Sequence, residues 1–219
     1  MTPMTRDGIA RRLAQDVEDG WHVNLGIGMP EHVGDQLAGR EVVLHSENGI
    51  LGMGPTPPAG AEDPNLINAG KKPITRVKGA SFFDHALSFA IVRGGHLDLC
   101  VLGAYQVAAN GDLANWSRDH GDLIPAIGGA MDLAVGAKRI WVMMNHTASD
   151  GAPRILERCT YPLTAQGCVK RIYTDLAVLV VTDDGLLVEE ILGDLTADEL
   201  AARTGAPLTF ARSVARSAA

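Results

Sequence analysis

The sequence predicts an α/β layered domain with a mixed, mostly parallel sheet. Two observations carry this expectation. Short apolar runs, as in buried strands, alternate along most of the chain with segments whose apolar residues recur at helical spacing. Near the end, Asp184-Gly185 joins "DLAVLVV" to "LLVEEI" and predicts an antiparallel hairpin within that alternation.

The elements follow in order. Ile9, Leu13 and Val17 recur every four residues between Arg6 and Asp19, giving a first helix that Gly20 ends. "WHVNLGIG" reads as a strand entering a glycine turn, and Pro30 suits the first turn of a second helix reaching about Ala38. "EVVLH" is the next strand, closed by "HSENG". Pro55, Pro57, Pro58 and Pro64 make Gly52 to Asn65 a long irregular loop. "PITRV" is a strand candidate. "SFFDHALSFAIVRGG" is a helix with Ser81 as its cap, Asp84 three residues on, and Gly94-Gly95 at its end. "LDLCVLG" is a buried strand, "GGAMDLAVG" a short helix, and "RIWVMM" and "DLAVLVV" further strands. Thr196 and Glu199 form a capping box for a last helix, with Gly205 beyond it. The sequence contains no linker, internal repeat or low-complexity segment, so residues 1–219 are expected to form one domain.

Composition excludes several function classes. The 219 residues suffice for a sizeable core, and 46% hydrophobic with 21% charged is ordinary for a soluble globular protein. A net charge of -7 with no basic stripe argues against nucleic acid. No apolar run approaches the ~18 residues of a membrane span, and the polar start has no secretory h-region. The three cysteines, Cys100, Cys159 and Cys168, are odd in number and lack CxxC spacing. They read as small core residues of a reduced, cytoplasmic protein.

The chemistry narrows to few residues. His22, His32, His45, His85, His96, His120 and His146 show no HExxH, HxH or Cys/His spacing, so no metal site is expected. "GIGMP" has only GxG, which reads as a tight turn, yet such a turn presents backbone N–H groups to an anion or oxyanion. Ile127-Gly128-Gly129 does the same. Ser46 lacks a GxSxG context, and its neighbour His45 points to the opposite face of the strand, so Ser46 reads as a turn hydroxyl. Glu47 lies just past a strand. In a parallel sheet that edge binds ligands, where a carboxylate serves as acid/base, anchor or nucleophile. Position alone leaves a solvated turn residue equally open.

A resemblance adds to this reading. "VNLGIG", "SENGILGMGP", "LINAGK", "GASFF", "SFAIVRGGHLDLCVLGAYQV", "GDLANW", "GGAMDL" and "CTYPLTAQGCV…RIYTDLAV" occur in this order. From about Arg6 to Pro207 the chain resembles the B subunits of the class I 3-oxoacid CoA-transferases. "LIPAIGGAMDLAVGA" and "CTYPLTAQGCVKRIYTDLAVL" are nearer to the 3-oxoadipate branch than to the acetoacetate branch, which stays the alternative acceptor. The resemblance implies a three-layer α/β/α fold and ping-pong transfer of CoA from succinyl-CoA, with Glu47, the Glu of SENG, as nucleophile. It implies no cofactor, since the CoA thioester is a substrate, and an A subunit as partner in a heterodimer or heterotetramer. Oxyanion or substrate contacts are expected from Gly128 and Gly129, then Asn24 and Gly26, with Asn48 beside the carboxylate. The proline-rich loop is expected to wall the site against water. The acceptor's second carboxylate calls for a cation, with Lys71, Lys72, Arg76, Lys78 and Arg118 unranked. Asn145 stands where the family often has an acidic residue, and nothing is carried over to it. Two other classes are weighed. A ligand-sensing domain of this fold would need a fused DNA-binding helix pair, and a thioester hydrolase would turn over acyl-CoA without an acceptor.

Overall fold

The computed structural model describes residues 3–118 and 126–217. Helix α1 (Arg6–Asp16) starts where Thr5 accepts from the Gly8 N–H at 3.1 Å, and it buries Ile9 and Leu13. The backbone turns extended at Val17, which still completes the apolar stripe. Strand β1 (His22–Leu25) leads through the glycine turn into a 3₁₀ turn (Met29–Glu31) holding Pro30, then α2 (His32–Gln36). Strand β2 (Val43–Ser46) follows.

Two expectations fail next, both through strand pairing. Ile50–Met53 is a strand, β3, so Gly52 and Met53 do not begin the expected loop. It doubles back on β2 with Ser46 opposite Ile50. Strand β4 (Arg76–Phe82) then pairs antiparallel with β3 and absorbs Ser81. Ser81 therefore caps nothing. Asp84 caps α3 (His85–Arg93), its Oδ1 accepting from the Leu87 N–H at 2.9 Å.

Beyond α3 come β5 (Leu99–Leu102), the short strands β6 (Gln106–Ala108) and β7 (Leu113–Ala114), and α4 (Ala130–Gly136). Strands β8 (Ile140–Met143), β9 (Ile155–Leu156) and β10 (Val169–Tyr173) follow. The hairpin is β11 (Ala177–Thr182) with β12 (Gly185–Ile191), antiparallel as the Asp-Gly turn requires. The Thr196/Glu199 box caps α5 (Ala197–Ala201), and β13 (Leu208–Phe210) and α6 (Arg212–Ser217) end the described chain.

Among the described residues ten strands share one sheet, ordered β13-β12-β11-β10-β8-β5-β1-β2-β3-β4. The middle of it, β10-β8-β5-β1-β2, is parallel throughout. Antiparallel pairs flank it on both sides: the expected hairpin on one, and β2-β3-β4 on the other.

Strand alternation splits the core in two. Leu99, Val101, Trp141 and Met143 face α1 and α2. Cys100, Leu102, Ile140 and Val142 face the other way, onto Val92 of α3 and Leu133 of α4. A small sheet, ordered β7-β6-β9, extends that second cover with Val107, Leu113 and Ile155, all 0% exposed. The result is the expected three-layer α/β/α arrangement. It leaves the carboxyl ends of β1, β2, β5 and β8 along one edge.

Candidate active site

Strand register places one polar row inside the apolar sheet. Cys100 of β5 pairs with Asn24 of β1, and Asn24 pairs with His45 of β2. All three are 0% exposed. Glu47 stands two residues beyond His45, so it leaves the strand end on the same face. Buried polar groups need partners, and these residues supply one another. Asn24 Nδ2 lies 3.1 Å from His45 Nδ1, 3.3 Å from the His45 carbonyl oxygen and 3.4 Å from Glu47 Oε2. Cys100 Sγ donates to Asn24 Oδ1 at 3.5 Å, which fixes which end of the amide faces Glu47. His45 Nε2 lies 3.1 Å from Ser88 Oγ on α3. With Nδ1 accepting from Asn24, the Nε2–H is left to donate to Ser88. Burial pushes the His45 pKa down to about 4, so the ring is neutral at pH 7.

Glu47 is partly buried, and its pKa is raised above the ordinary value of 4.5. Desolvation is the main cause; the Asn24 hydrogen bond and nearby His85 pull the other way without cancelling it. The turn that carries Glu47 is rigid. Gly49 donates to the Ser46 carbonyl at 3.0 Å and accepts from the Phe83 N–H at 3.0 Å. Its φ is 118°, and a Cβ there would collide with the Phe83 carbonyl oxygen, so only glycine closes this hairpin.

Glu47 borders two depressions. The first is a cleft of about 490 Å³ along the carboxyl edge, reached by Gly26 past β1, Gly103 past β5 and Met144 past β8. The second, about 460 Å³, lies between α3 and α4 and is lined by His85, Phe89 and Arg93. Gly128 and Gly129 border both. A Cβ added at Gly129 would lie 2.6 Å from Phe89 Cζ and 3.8 Å from Glu47 Oε1, so the absence of a side chain brings this backbone close to the carboxylate. No hydrogen bond within the described residues takes the N–H of Gly128 or Gly129.

The expected residues thus separate. Glu47, Asn24, Gly128 and Gly129 come together. Gly26 lines the cleft, but its N–H donates to the Val101 carbonyl at 2.8 Å, so it has no donor left for an oxyanion. Asn48 is exposed and turns away: its Nδ2 donates to the Ile67 carbonyl at 2.8 Å. Together with Ser46 Oγ, which accepts from the Ala69 N–H at 3.0 Å, it fastens the following loop rather than holding Glu47.

The proline-rich loop does not wall the cleft. It folds onto α2, with Thr56 bonded to Asp35, and lines a separate small cavity beside Glu31. Lys72 is held there by Glu31 at 2.8 Å. Asn145 is exposed, while its neighbour His146 is buried between Thr174 Oγ1 at 3.0 Å and Thr204 Oγ1 at 2.9 Å. His120 lies outside the described residues.

Sequence reasoning missed His45, Ser88 and Cys100 as supports of Asn24. The available signal was polar residues inside apolar strand runs, at Asn24 and His45, since a buried polar group is retained only with partners. It also missed Arg154, which lines the cleft from an irregular segment without any periodic pattern.

Comparisons with known proteins agree with this architecture. The chain is 55% identical to the B subunit of 3-oxoadipate CoA-transferase from Acinetobacter baylyi, over 94% of its length and 95% of the relative's. It is 46% identical to the B subunit of a probable succinyl-CoA:3-ketoacid coenzyme A transferase from Bacillus subtilis, over 97% and 98% of the two chains. A solved acyl-CoA transferase apoenzyme from Escherichia coli O157:H7 shares the fold with a TM-score of 0.75 at 19% identity. That match covers 98% of this chain and 43% of the solved one. The family profile described as Coenzyme A transferase matches residues 6–201, nearly all of the sheet and both depressions at Glu47, and the chain belongs to the coenzyme A transferase family.

Proposed function

We propose that this chain is the B subunit of a CoA-transferase that moves CoA from succinyl-CoA to a 3-oxoacid, with Glu47 as the nucleophile. The observation that carries the proposal is the placement of Glu47: a partly buried carboxylate at a parallel-strand terminus, held by one amide and open to two depressions.

Desolvation weakens the solvent's hold on the carboxylate, which makes the ionised form a better nucleophile. Glu47 attacks the thioester carbonyl, and the tetrahedral intermediate expels CoA thiolate to leave an acyl-glutamyl anhydride. The thiolate then attacks the glutamyl carbonyl, giving a glutamyl-CoA thioester and free succinate. The acceptor carboxylate attacks that thioester, and the two steps run in reverse to release the new CoA ester and Glu47. Thioester and anhydride are both activated acyl groups, so no step discards the activation.

The N–H groups of Gly128 and Gly129 are the proposed donors to the substrate oxyanion. A donor of this kind is worth about 3 kcal/mol. Asn24 Nδ2, already on Glu47 Oε2, is the proposed donor when the glutamyl carbonyl itself is attacked. The acyl group occupies the cleft along the strand ends, and the thiol approaches through the groove between α3 and α4.

The preferred acceptor is 3-oxoadipate, on the 55% identity to a relative named for it against 46% for one named for 3-ketoacid transfer. Both relatives are named as B subunits, which supports a partner A subunit in a heterodimer or heterotetramer. Exposed Leu87, Met131 and Val135 on α3 and α4, next to the site, suit such a partner. We place the assembly in the cytoplasm; among the described residues no helix is long and apolar enough to cross a membrane.

The test is to co-express both subunits and compare succinyl-CoA turnover with 3-oxoadipate and with acetoacetate. A higher kcat/KM for 3-oxoadipate is expected. A preference for acetoacetate would move the chain to the other acceptor class, and turnover without any acceptor would make it a hydrolase.

A further inference from the structure

Two arginines line the cleft that Glu47 borders, and the steps above use neither. Among the described residues its charged lining is Glu47, Arg118 and Arg154. Two cations against one anion is an unusual balance for a chain of net charge -7. Among the described residues Arg12, Arg40, Arg93 and Arg171 pair with carboxylates. No ion pair among the described residues takes Arg118 or Arg154.

Arg154 is partly buried and stands on fixed backbone, its N–H donating to the His146 carbonyl at 3.1 Å and its own carbonyl accepting from the Val107 N–H at 3.0 Å. Arg118 lies over the Tyr105 ring, 5.5 Å from its centroid, at the exposed rim. The same cleft has apolar walls from Leu102, Leu133, Met143 and Met144, with Tyr105 and Asn115 also lining it. A guanidinium without a carboxylate partner can take one, and its fork binds both oxygens at once.

We infer that Arg154, assisted by Arg118, binds the carboxylate at the far end of a dicarboxylic acyl group whose other carboxyl carbon reacts at Glu47. The inference rests on the CoA-transfer reading and adds the residues that recognise the far end of its acids. In ping-pong transfer, donor and acceptor acyl groups occupy one site in turn. A single cationic end therefore serves a succinyl donor and a 3-oxoadipate acceptor alike, while the methylenes lie against the apolar walls. Of the cations left unranked by sequence, Lys72 is held by Glu31, and Lys71, Arg76 and Lys78 do not line the cleft.

The test uses the assembled enzyme with a fixed acyl-CoA donor and two acceptors: 3-oxoadipate, and the same acid esterified with methanol at its far carboxyl. The ester keeps chain length and removes the charge. Wild type prefers the free acid. Arg154→Met lowers the acid-to-ester ratio of kcat/KM by roughly tenfold or more, the scale of a lost hydrogen-bonded charge contact, and mainly through KM. Arg154→Lys restores part of the ratio, which separates lost charge from lost folding. Arg118→Met gives a smaller fall.

Equal losses on acid and ester would put the arginines on CoA or in the scaffold and overturn the inference. A wild type that does not distinguish acid from ester overturns it as well, with the transfer reading intact. No transfer to either acceptor by wild type would instead remove the transfer reading, and this inference with it.

Discussion

One amide does three tasks at Asn24. It satisfies His45, caps the end of β2 at the His45 carbonyl, and holds Glu47 Oε2 at 3.4 Å. Its orientation is imposed by Cys100 on one side and neutral His45 on the other. The sign of its effect on Glu47 is fixed. A hydrogen bond to the carboxylate favours the charged form and opposes the desolvation that raises the pKa. Asn24→Ala removes that opposition. The acid limb of the kcat/KM profile should move to higher pH, with roughly tenfold lower activity at neutral pH, the scale of one hydrogen bond to a charge. A limb that stays in place or moves down would show that Asn24 does not touch the reactive carboxylate. At this scale the sequence marked Glu47 and Asn24, which the fold brings together, but did not reveal that the Gly26 N–H and the Asn48 amide are already bonded elsewhere. The reason is local: which N–H or amide is already taken depends on the partner strand, and Val101 and Ile67 are distant in sequence.

The element that delivers Glu47 is the β2–β3 hairpin. Its loop, Glu47-Asn48-Gly49, lies between the paired residues Ser46 and Ile50. Gly49 allows the turn its positive φ and admits the Phe83 carbonyl. Gly49→Ala sets a Cβ against that carbonyl in a strained conformation, at a cost of about 1–3 kcal/mol. Urea unfolding of the assembled enzyme should show the loss, with activity falling further because Glu47 shifts with the turn. Unchanged stability and activity would mean the hairpin is not rigid. Longer elements were legible before the structure. The four-residue stripe of α1, the capping box of α5 and the Asp-Gly hairpin each carry a local physical cause. The strands β6, β7 and β9 run to only two or three residues, too short for any period to register. Strand β3 was hidden because its glycine and the glycine and prolines beyond it read as loop, and only pairing with β2 and β4 makes it a strand.

For the whole molecule, the ordering of strands decides the function. Parallel β1, β2, β5 and β8 bring their carboxyl ends to one edge, and two glycine turns, a carboxylate and two arginines converge there from distant parts of the chain. Alternation along the sequence announced that edge; the approach of Arg154 to it follows only from the small sheet packed on the second face. The proline-rich loop, expected to exclude water, lies against α2 instead. Under the proposed mechanism, shielding of the anhydride would fall to a partner subunit docked over the exposed residues of α3 and α4.

The central claim is that Glu47 carries CoA covalently. The direct measurement is mass spectrometry of the peptide containing Glu47, after the assembled enzyme is incubated with 3-oxoadipyl-CoA or acetoacetyl-CoA without acceptor. The account predicts a CoA adduct on that peptide, lost on adding acceptor acid and absent in Glu47→Ala. An enzyme that transfers CoA while leaving this peptide unmodified, or that carries the adduct on another residue, would contradict it.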